Sequence, residues 1–105
     1  MNVTIPKIDT SWTLFLDRDG VINKKLNCDY VKTIDEFEFM PDALEAIKLF
    51  SNHFHRVVIV TNQQGISKCL MTEDDLHKIH QHLVQEVQNH GGRIDAIYHL
   101  SLIHI

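Results

Sequence analysis

The chain has 105 residues, 44% of them hydrophobic and 23% charged; these are the proportions of a globular domain and argue against a disordered segment. Its net charge is −4, from 10 Lys and Arg against 14 Asp and Glu, and no basic run is longer than Lys24-Lys25, which disfavours nucleic acid or an anionic membrane as the main partner. No apolar run approaches the roughly 20 residues of a membrane helix, and the start Met1-Asn2-Val3-Thr4-Ile5-Pro6 lacks the basic-then-apolar pattern of a secretory signal.

Cys28 and Cys69 have neither disulfide-framework nor CxxC spacing, so a reducing cytoplasm is the expected home. The eight histidines are scattered and their number alone implies no metal cluster.

In chain order, Trp12-Thr-Leu-Phe-Leu-Asp17 reads as a short buried strand that ends on a carboxylate. A polar stretch from Arg18 to Met40 follows. Pro41-Asp42 opens a helix in which Asp42 is the expected N-cap, with Glu45 at capping-box spacing. Ala43, Leu44, Ile47 and Phe50 give that helix its apolar face. Arg56 to Thr61 is β-branched and apolar on both faces, as suits a central parallel strand covered on two sides. Asn62-Gln63-Gln64-Gly65 is a turn. Thr72 caps the next helix, with Glu73, Asp74 and Asp75 in its first turn. Leu76, Ile79, Leu83 and Val87 form the core stripe, and Asn89-His90-Gly91-Gly92 ends the helix with a left-handed glycine. A third strand starts at Ile94 and runs to Ile97 or Tyr98. Alternating strands and helices predict an α/β fold with a parallel sheet and right-handed crossovers.

Ligands of open parallel sheets bind at the carboxyl ends of the strands. Two strands end there in polar chemistry, Asp17-Arg18-Asp19-Gly20 and Thr61-Asn62. Residues two apart in extended chain share a side, so Asp17 and Asp19 can face one site, and Gly20 lets the chain turn away. Close carboxylates are tolerated when a cation lies between them or one holds a proton. Mg²⁺ suits such a pair because it takes few protein carboxylates and leaves room for phosphate oxygens. Thr61 and Asn62 offer a hydroxyl and an amide to a phosphate. The bare DxD also fits a charged loop in which Asp17 caps backbone amides.

On these residues the chain resembles a known family. Phe15-Leu-Asp-Arg-Asp-Gly-Val-Ile-Asn23 is similar to the first motif of the haloacid dehalogenase superfamily of phosphatases, and Val58-Ile-Val-Thr-Asn-Gln-Gln-Gly-Ile66 to the second. Asp29-Tyr-Val31, Phe37-Glu-Phe-Met-Pro41 and Gly91-Gly-Arg-Ile-Asp-Ala-Ile-Tyr98 resemble the branch that acts on sugar bisphosphates and histidinol phosphate. The resemblance implies a Rossmann-like, three-layer α/β/α core, incomplete at the C-terminus. Residues 1–105 would be the N-terminal part of a single domain, with 1–11 as an extension and 100–105 as a tail foreign to the family.

The resemblance also implies the chemistry. Asp17 would be the nucleophile that forms an aspartyl-phosphate, and Asp19 the general acid and then base. Mg²⁺ would be held by the Asp17 carboxylate and the Asp19 backbone carbonyl. Thr61 and Asn62 would hold the phosphoryl group, followed by Gln63 and Gln64. The segment between Asp17 and Thr61 is filled by a loop and a crossover helix and leaves no room for a cap domain. Tyr30, with Asn27 to Asp29, is therefore the expected substrate contact. The substrate would be a small phosphorylated metabolite, a heptose bisphosphate first and histidinol phosphate second.

Three features depart from the family. Its phosphate-neutralising Lys and second acidic metal motif lie beyond the third strand and are not found before Ile105, so little activity and poor stability are expected of this chain. The Cys- and His-containing zinc loop of some relatives is also not expected, since no Cys follows His99. Lys68-Cys69 replaces the usual Arg-Gly, with Cys69 expected to be an inert thiol. His77 and His80 read as a solvated helix face, with His82 pointing elsewhere. Two other readings remain: a receiver-like phospho-acceptor domain and a non-catalytic phosphate-binding remnant. The receiver is disfavoured because the site acids follow the first strand and the third strand ends in none.

Overall fold

A computed structural model describes residues 11–26, 31–62 and 71–100. In chain order they form strand β1 (Thr13–Leu16), a 3-10 turn (Ile34–Glu36), helix α1 (Ala43–His53), strand β2 (Arg56–Asn62), helix α2 (Glu73–Asn89) and strand β3 (Ala96–Leu100). The strands make one parallel sheet in the order β1-β2-β3. Leu16 pairs with Ile59, and Thr61 with His99. The third strand begins two residues later than its sequence suggests and runs on to Leu100, which pairs with Asn62. The extension 1–11 and the tail 100–105 otherwise lie outside the described residues, Ser11 excepted. Among the described residues no helix is long and apolar enough to cross a membrane.

The strand order never reverses, so two successive right-handed crossovers place both helices on the same side of the sheet. Ile59 from β2 and Leu16 and Ile97 from its neighbours meet Ile47 of α1 and Leu76, Ile79, Leu83 and Val87 of α2. Ile22, Val31 and Phe37 from the loop after β1 complete this core. The opposite face is largely open, since Phe15 is 64% exposed, Val60 38% and Tyr98 61%, although Val58 on that face is buried. This corrects the expectation of a buried β1 and of a β2 covered on both sides. Apolar residues do alternate onto both faces, but the described helices cover only one. They build two layers of the expected three.

Each helix is bounded by its local sequence, though not always as expected. Thr72 Oγ1 accepts from Asp75 N at 3.0 Å and Asp75 Oδ2 accepts from Thr72 N at 3.0 Å, a complete capping box. Those bonds hold the Asp75 carboxyl below its ordinary range. Gly91 closes α2 at φ 87°, in the left-handed region. Asp42 stands at the start of α1 but does not cap it with its side chain. Its backbone is itself left-handed, at φ 63°, whereas a capping side chain needs extended backbone to reach back to the helix amides. The entry turn is closed instead by the backbone bond from Ala43 N to Met40 O, 3.1 Å.

Arg93 fastens the end of α1 to the start of β3. Its guanidinium donates to the carbonyls of Ser51, Phe54 (2.8 Å) and His55 (2.6 Å) and to the Asp95 carboxylate. Asp95 Oδ2 in turn accepts from Val57 N at 2.7 Å and so sets β3 beside β2.

Candidate active site

The carboxyl ends of β1 and β2 lie side by side, because Leu16 and Ile59 are in register. Asp17 therefore leaves the sheet beside Val60, one residue before Thr61. Exposure alternates as the period of two demands: Asp17 is exposed, Arg18 buried and Asp19 partly exposed. Asp17 Oδ1 accepts from Arg18 N at 2.8 Å. Thr61 is buried and Asn62 exposed at the end of β2. Tyr30, Gln63 and Gln64 lie outside the described residues, as do Cys69 and the segment from Asn27 to Asp29.

After Asp17 the chain folds into a tight turn. The Arg18 carbonyl accepts from Val21 N, Ile22 N and Asn23 N at 3.2, 2.8 and 3.2 Å. Gly20 sits at φ 84°, the left-handed geometry expected of it, and its N donates to Asn23 O at 2.7 Å. The return limb is pinned by Lys24 N to Glu38 O, 2.7 Å, and Met40 N to Ile22 O, 2.8 Å. The turn thus brings Asn23 back against Asp19.

One oxygen of the Asp19 carboxylate gathers three donors. Oδ1 accepts from Arg18 Nη2 at 2.8 Å, from Arg18 Nε at 3.3 Å and from Asn23 Nδ2 at 2.9 Å. Arg18 has no exposed surface. Its guanidinium lies 5.9 Å from the Phe37 ring centroid, and its Nη1 is 3.1 Å from His80 Nε2 of α2. Burial, followed by the Arg18 charge beside it, pushes the His80 pKa down to about 3. Since arginine carries only donors, His80 Nε2 is the acceptor of this pair and its ring is neutral. Asn23 is also fully buried, and its Oδ1 has no partner among the described residues.

The site's donors are hard oxygens. The Asp17 carboxylate and the Asp19 carbonyl fit Mg²⁺, which keeps several waters and needs only one or two carboxylates beside phosphate oxygens. No group of three or more His, Cys, Asp or Glu poised for a metal occurs among the described residues.

His80 corrects the reading of a solvated His77–His80 face. His77 is exposed, but His80 is buried against Arg18. His82 is half-buried, edge-on to Phe37 at 5.9 Å. Arg18, Asn23 and His80 are the residues that motif reasoning passed over. The signals were available: Arg18 alternates onto the side of Leu16, and His80 follows Leu76 by four and Ile79 by one, which is the buried stripe of α2.

No protein-family model matches the chain. Over 85 residues it is 44% identical to the D-glycero-alpha-D-manno-heptose-1,7-bisphosphate 7-phosphatase of Mycobacterium tuberculosis, covering 81% of this chain and 45% of that protein. The Campylobacter jejuni protein of the same name is 38% identical over 86 residues, 82% of this chain and 49% of its own length. Among solved structures, the D,D-heptose 1,7-bisphosphate phosphatase of B. bronchiseptica, complexed with magnesium and phosphate, superposes with TM-score 0.79 at 34% identity. The match covers 86% of this chain and 50% of that one. The Burkholderia thailandensis enzyme superposes with TM-score 0.64 at 36% identity, over 88% of this chain and 54% of its own. The chain spans about half the length of the relatives it matches.

Proposed function

We propose that this chain, a homologue of the heptose bisphosphate phosphatases of the haloacid dehalogenase superfamily that matches the N-terminal portion of their length, carries the nucleophile and the general acid–base of a Mg²⁺-dependent phosphomonoester hydrolase. The observation that carries this reading is the pair at the end of β1. Asp17 is exposed on the strand end, while the carboxylate of Asp19, two residues on, accepts through Oδ1 from Arg18 and Asn23. One carboxylate is free to attack and the other is fixed to move a proton.

In the first step an Asp17 carboxylate oxygen bonds to phosphorus while the bond from phosphorus to the substrate oxygen breaks. Asp19 gives its proton to that leaving oxygen. In the second step water attacks the phosphorus of the aspartyl-phosphate. Asp19 takes the water's proton, phosphate leaves and the Asp17 carboxylate is regenerated. The Thr61 hydroxyl and the Asn62 amide orient the phosphoryl oxygens, with Gln63, Gln64 and Tyr30 as further contacts. Mg²⁺, bound by the Asp17 carboxylate and the Asp19 carbonyl, would neutralise charge on the transferring group.

The names of the relatives support a heptose 1,7-bisphosphate as substrate. The sparse cysteines support a reducing, cytoplasmic setting. Phosphate release from the heptose bisphosphate and from histidinol phosphate, measured on the full chain with Mg²⁺ and with EDTA, tests the reading. Residues 1–105 alone should show little turnover; with the remaining length of the relatives supplied, the heptose ester should turn over with Mg²⁺ only, and Asp17→Asn should lose about a thousandfold. Undiminished turnover in Asp17→Asn would remove the nucleophile. Binding of phosphate or BeF₃⁻ without turnover would favour the phosphate-binding remnant.

A further inference from the structure

We infer that Asn23, buried behind the turn after β1, is the positioning residue for the backbone carbonyl of Asp19, aiming that oxygen at Mg²⁺ through the Asp19–Gly20 peptide. This rests on the phosphatase reading above and deepens it.

A metal ligand supplied by the backbone has no rotamer to aim it; its direction is that of its peptide plane. The Asp19 carbonyl and the Gly20 N–H belong to one planar trans unit, in which the two groups point in opposite directions. The Gly20 N–H donates to Asn23 O at 2.7 Å. With its N–H turned onto Asn23, the unit presents the Asp19 oxygen on the side away from Asn23. Gly20, at φ 84°, lets the plane stand this way, and a Cβ added there would meet no atom within 4 Å. Backbone angle and the Asn23 contact set the orientation, and crowding does not.

Asn23 is itself fixed from several directions. Its N donates to Arg18 O at 3.2 Å, and its Nδ2 donates to Asp19 Oδ1 at 2.9 Å and to Lys24 O at 3.2 Å. Main chain and side chain of one residue thus tie the outgoing limb of the turn to the returning one. The returning limb is fastened on either side of Asn23, by Met40 N to Ile22 O and by Lys24 N to Glu38 O. Asn23 has no exposed surface, and its Oδ1 has no partner among the described residues. A buried acceptor without a partner costs stability, so packing alone is a poor account of an asparagine here. Its Nδ2 bonds close the turn that carries the ligand. Groups that orient a metal ligand from behind are worth about 10- to 100-fold in metal affinity.

The test is a Mg²⁺ titration of the 105-residue chain, followed by NMR on the Asp19 carbonyl carbon and the Gly20 amide nitrogen. These resonances belong to the folded species and to the ligating peptide. Partial unfolding lowers their intensity and leaves the fitted affinity unchanged. Mg²⁺ should shift both in the wild type. Asn23→Leu, which keeps the volume and removes Nδ2, should weaken Mg²⁺ about tenfold. If Asn23→Leu yields no folded protein, Asn23→Ala removes the same donor and should weaken Mg²⁺ by a similar factor. Gly20 tests the route through the peptide. Gly20→Ala should weaken Mg²⁺ more than Gly20→Asn, because asparagine adopts left-handed backbone more readily.

Wild-type affinity in the Asn23 variants, or equal affinities in Gly20→Ala and Gly20→Asn, would overturn the inference. Asp17→Asn separates this role from the metal site itself. If Asp17→Asn abolishes the Mg²⁺ shifts while Asn23→Leu or Asn23→Ala keeps the wild-type affinity, only the positioning role fails. If Mg²⁺ moves neither resonance in the wild type, or if Asp17→Asn leaves the shifts as they were, the metal reading fails and the positioning role with it.

Discussion

The two faces of the sheet are built from the same three strands and differ in how far they are covered, although Val58 is buried on the more open one. On the helix side, Ile59 has no exposed surface and meets residues of both helices. On the other side, Val60, its neighbour in sequence, is 38% exposed, and Phe15 and Tyr98 are more than half exposed. The difference shows that apolar alternation in a strand reports what it can bury, while connection handedness and strand order decide what is buried. The largest expected effect tests this directly. In the 105-residue chain, Ile59→Ala should cost about 3 kcal/mol in urea unfolding, whereas Val60→Ala and Phe15→Ala should each cost less than about 1 kcal/mol. Comparable costs on the two faces would mean that the open face is covered in solution, as by a second copy of the chain.

A smaller effect sharpens the same contrast at the rim of the covered side. Arg93 satisfies the Ser51, Phe54 and His55 carbonyls, where α1 ends and β2 begins, and pairs with Asp95. Removing it strands carbonyls that a shorter side chain cannot reach. Arg93→Ala should cost about 2 kcal/mol, and Arg93→Lys should recover only part of that, because one ammonium cannot fork to several acceptors. Full recovery with Lys would show that charge, and not the fork, holds this corner.

Local signals were legible and layer-level ones were not. Leu76, Ile79, Leu83 and Val87 announce α2 by spacing alone, and Thr72 and Gly91 mark its ends by side-chain and backbone chemistry. Each of these depends only on residues within a turn or two. The strand ends were legible for the same reason: Asp17, Asp19, Thr61 and Asn62 fall where extended chain stops. Asp42 misled because capping needs a backbone angle that residue type does not dictate. Phe15 and Tyr98 misled because their exposure depends on which side both crossovers take. His80 misled because a polar residue in a buried stripe has no partner visible within its own helix. Its partner, Arg18, lies 62 residues away.

His80 also supplies the smallest and most specific prediction, since it titrates on the covered side. In the unfolded chain its imidazole takes up a proton near pH 6.5, while in the fold uptake is pushed down to about 3. Burial is the main cause. Arg18, His99 and His77 add to it, and Asp19 alone opposes them. Between those two pH values the unfolded state holds the extra proton, so acid draws the equilibrium toward unfolding. The contribution of His80 is whole above pH 6.5 and is lost progressively as the pH falls toward 3. From pH 7 to pH 6 the loss should be roughly 0.7 kcal/mol. Glutamine accepts from Arg18 without titrating, so urea unfolding of His80→Gln should lack this increment while sharing the background of the other histidines. Parallel losses in wild type and His80→Gln over that interval would mean that water reaches the ring. The helix-covered face would then be open at the one point where it meets the candidate active site.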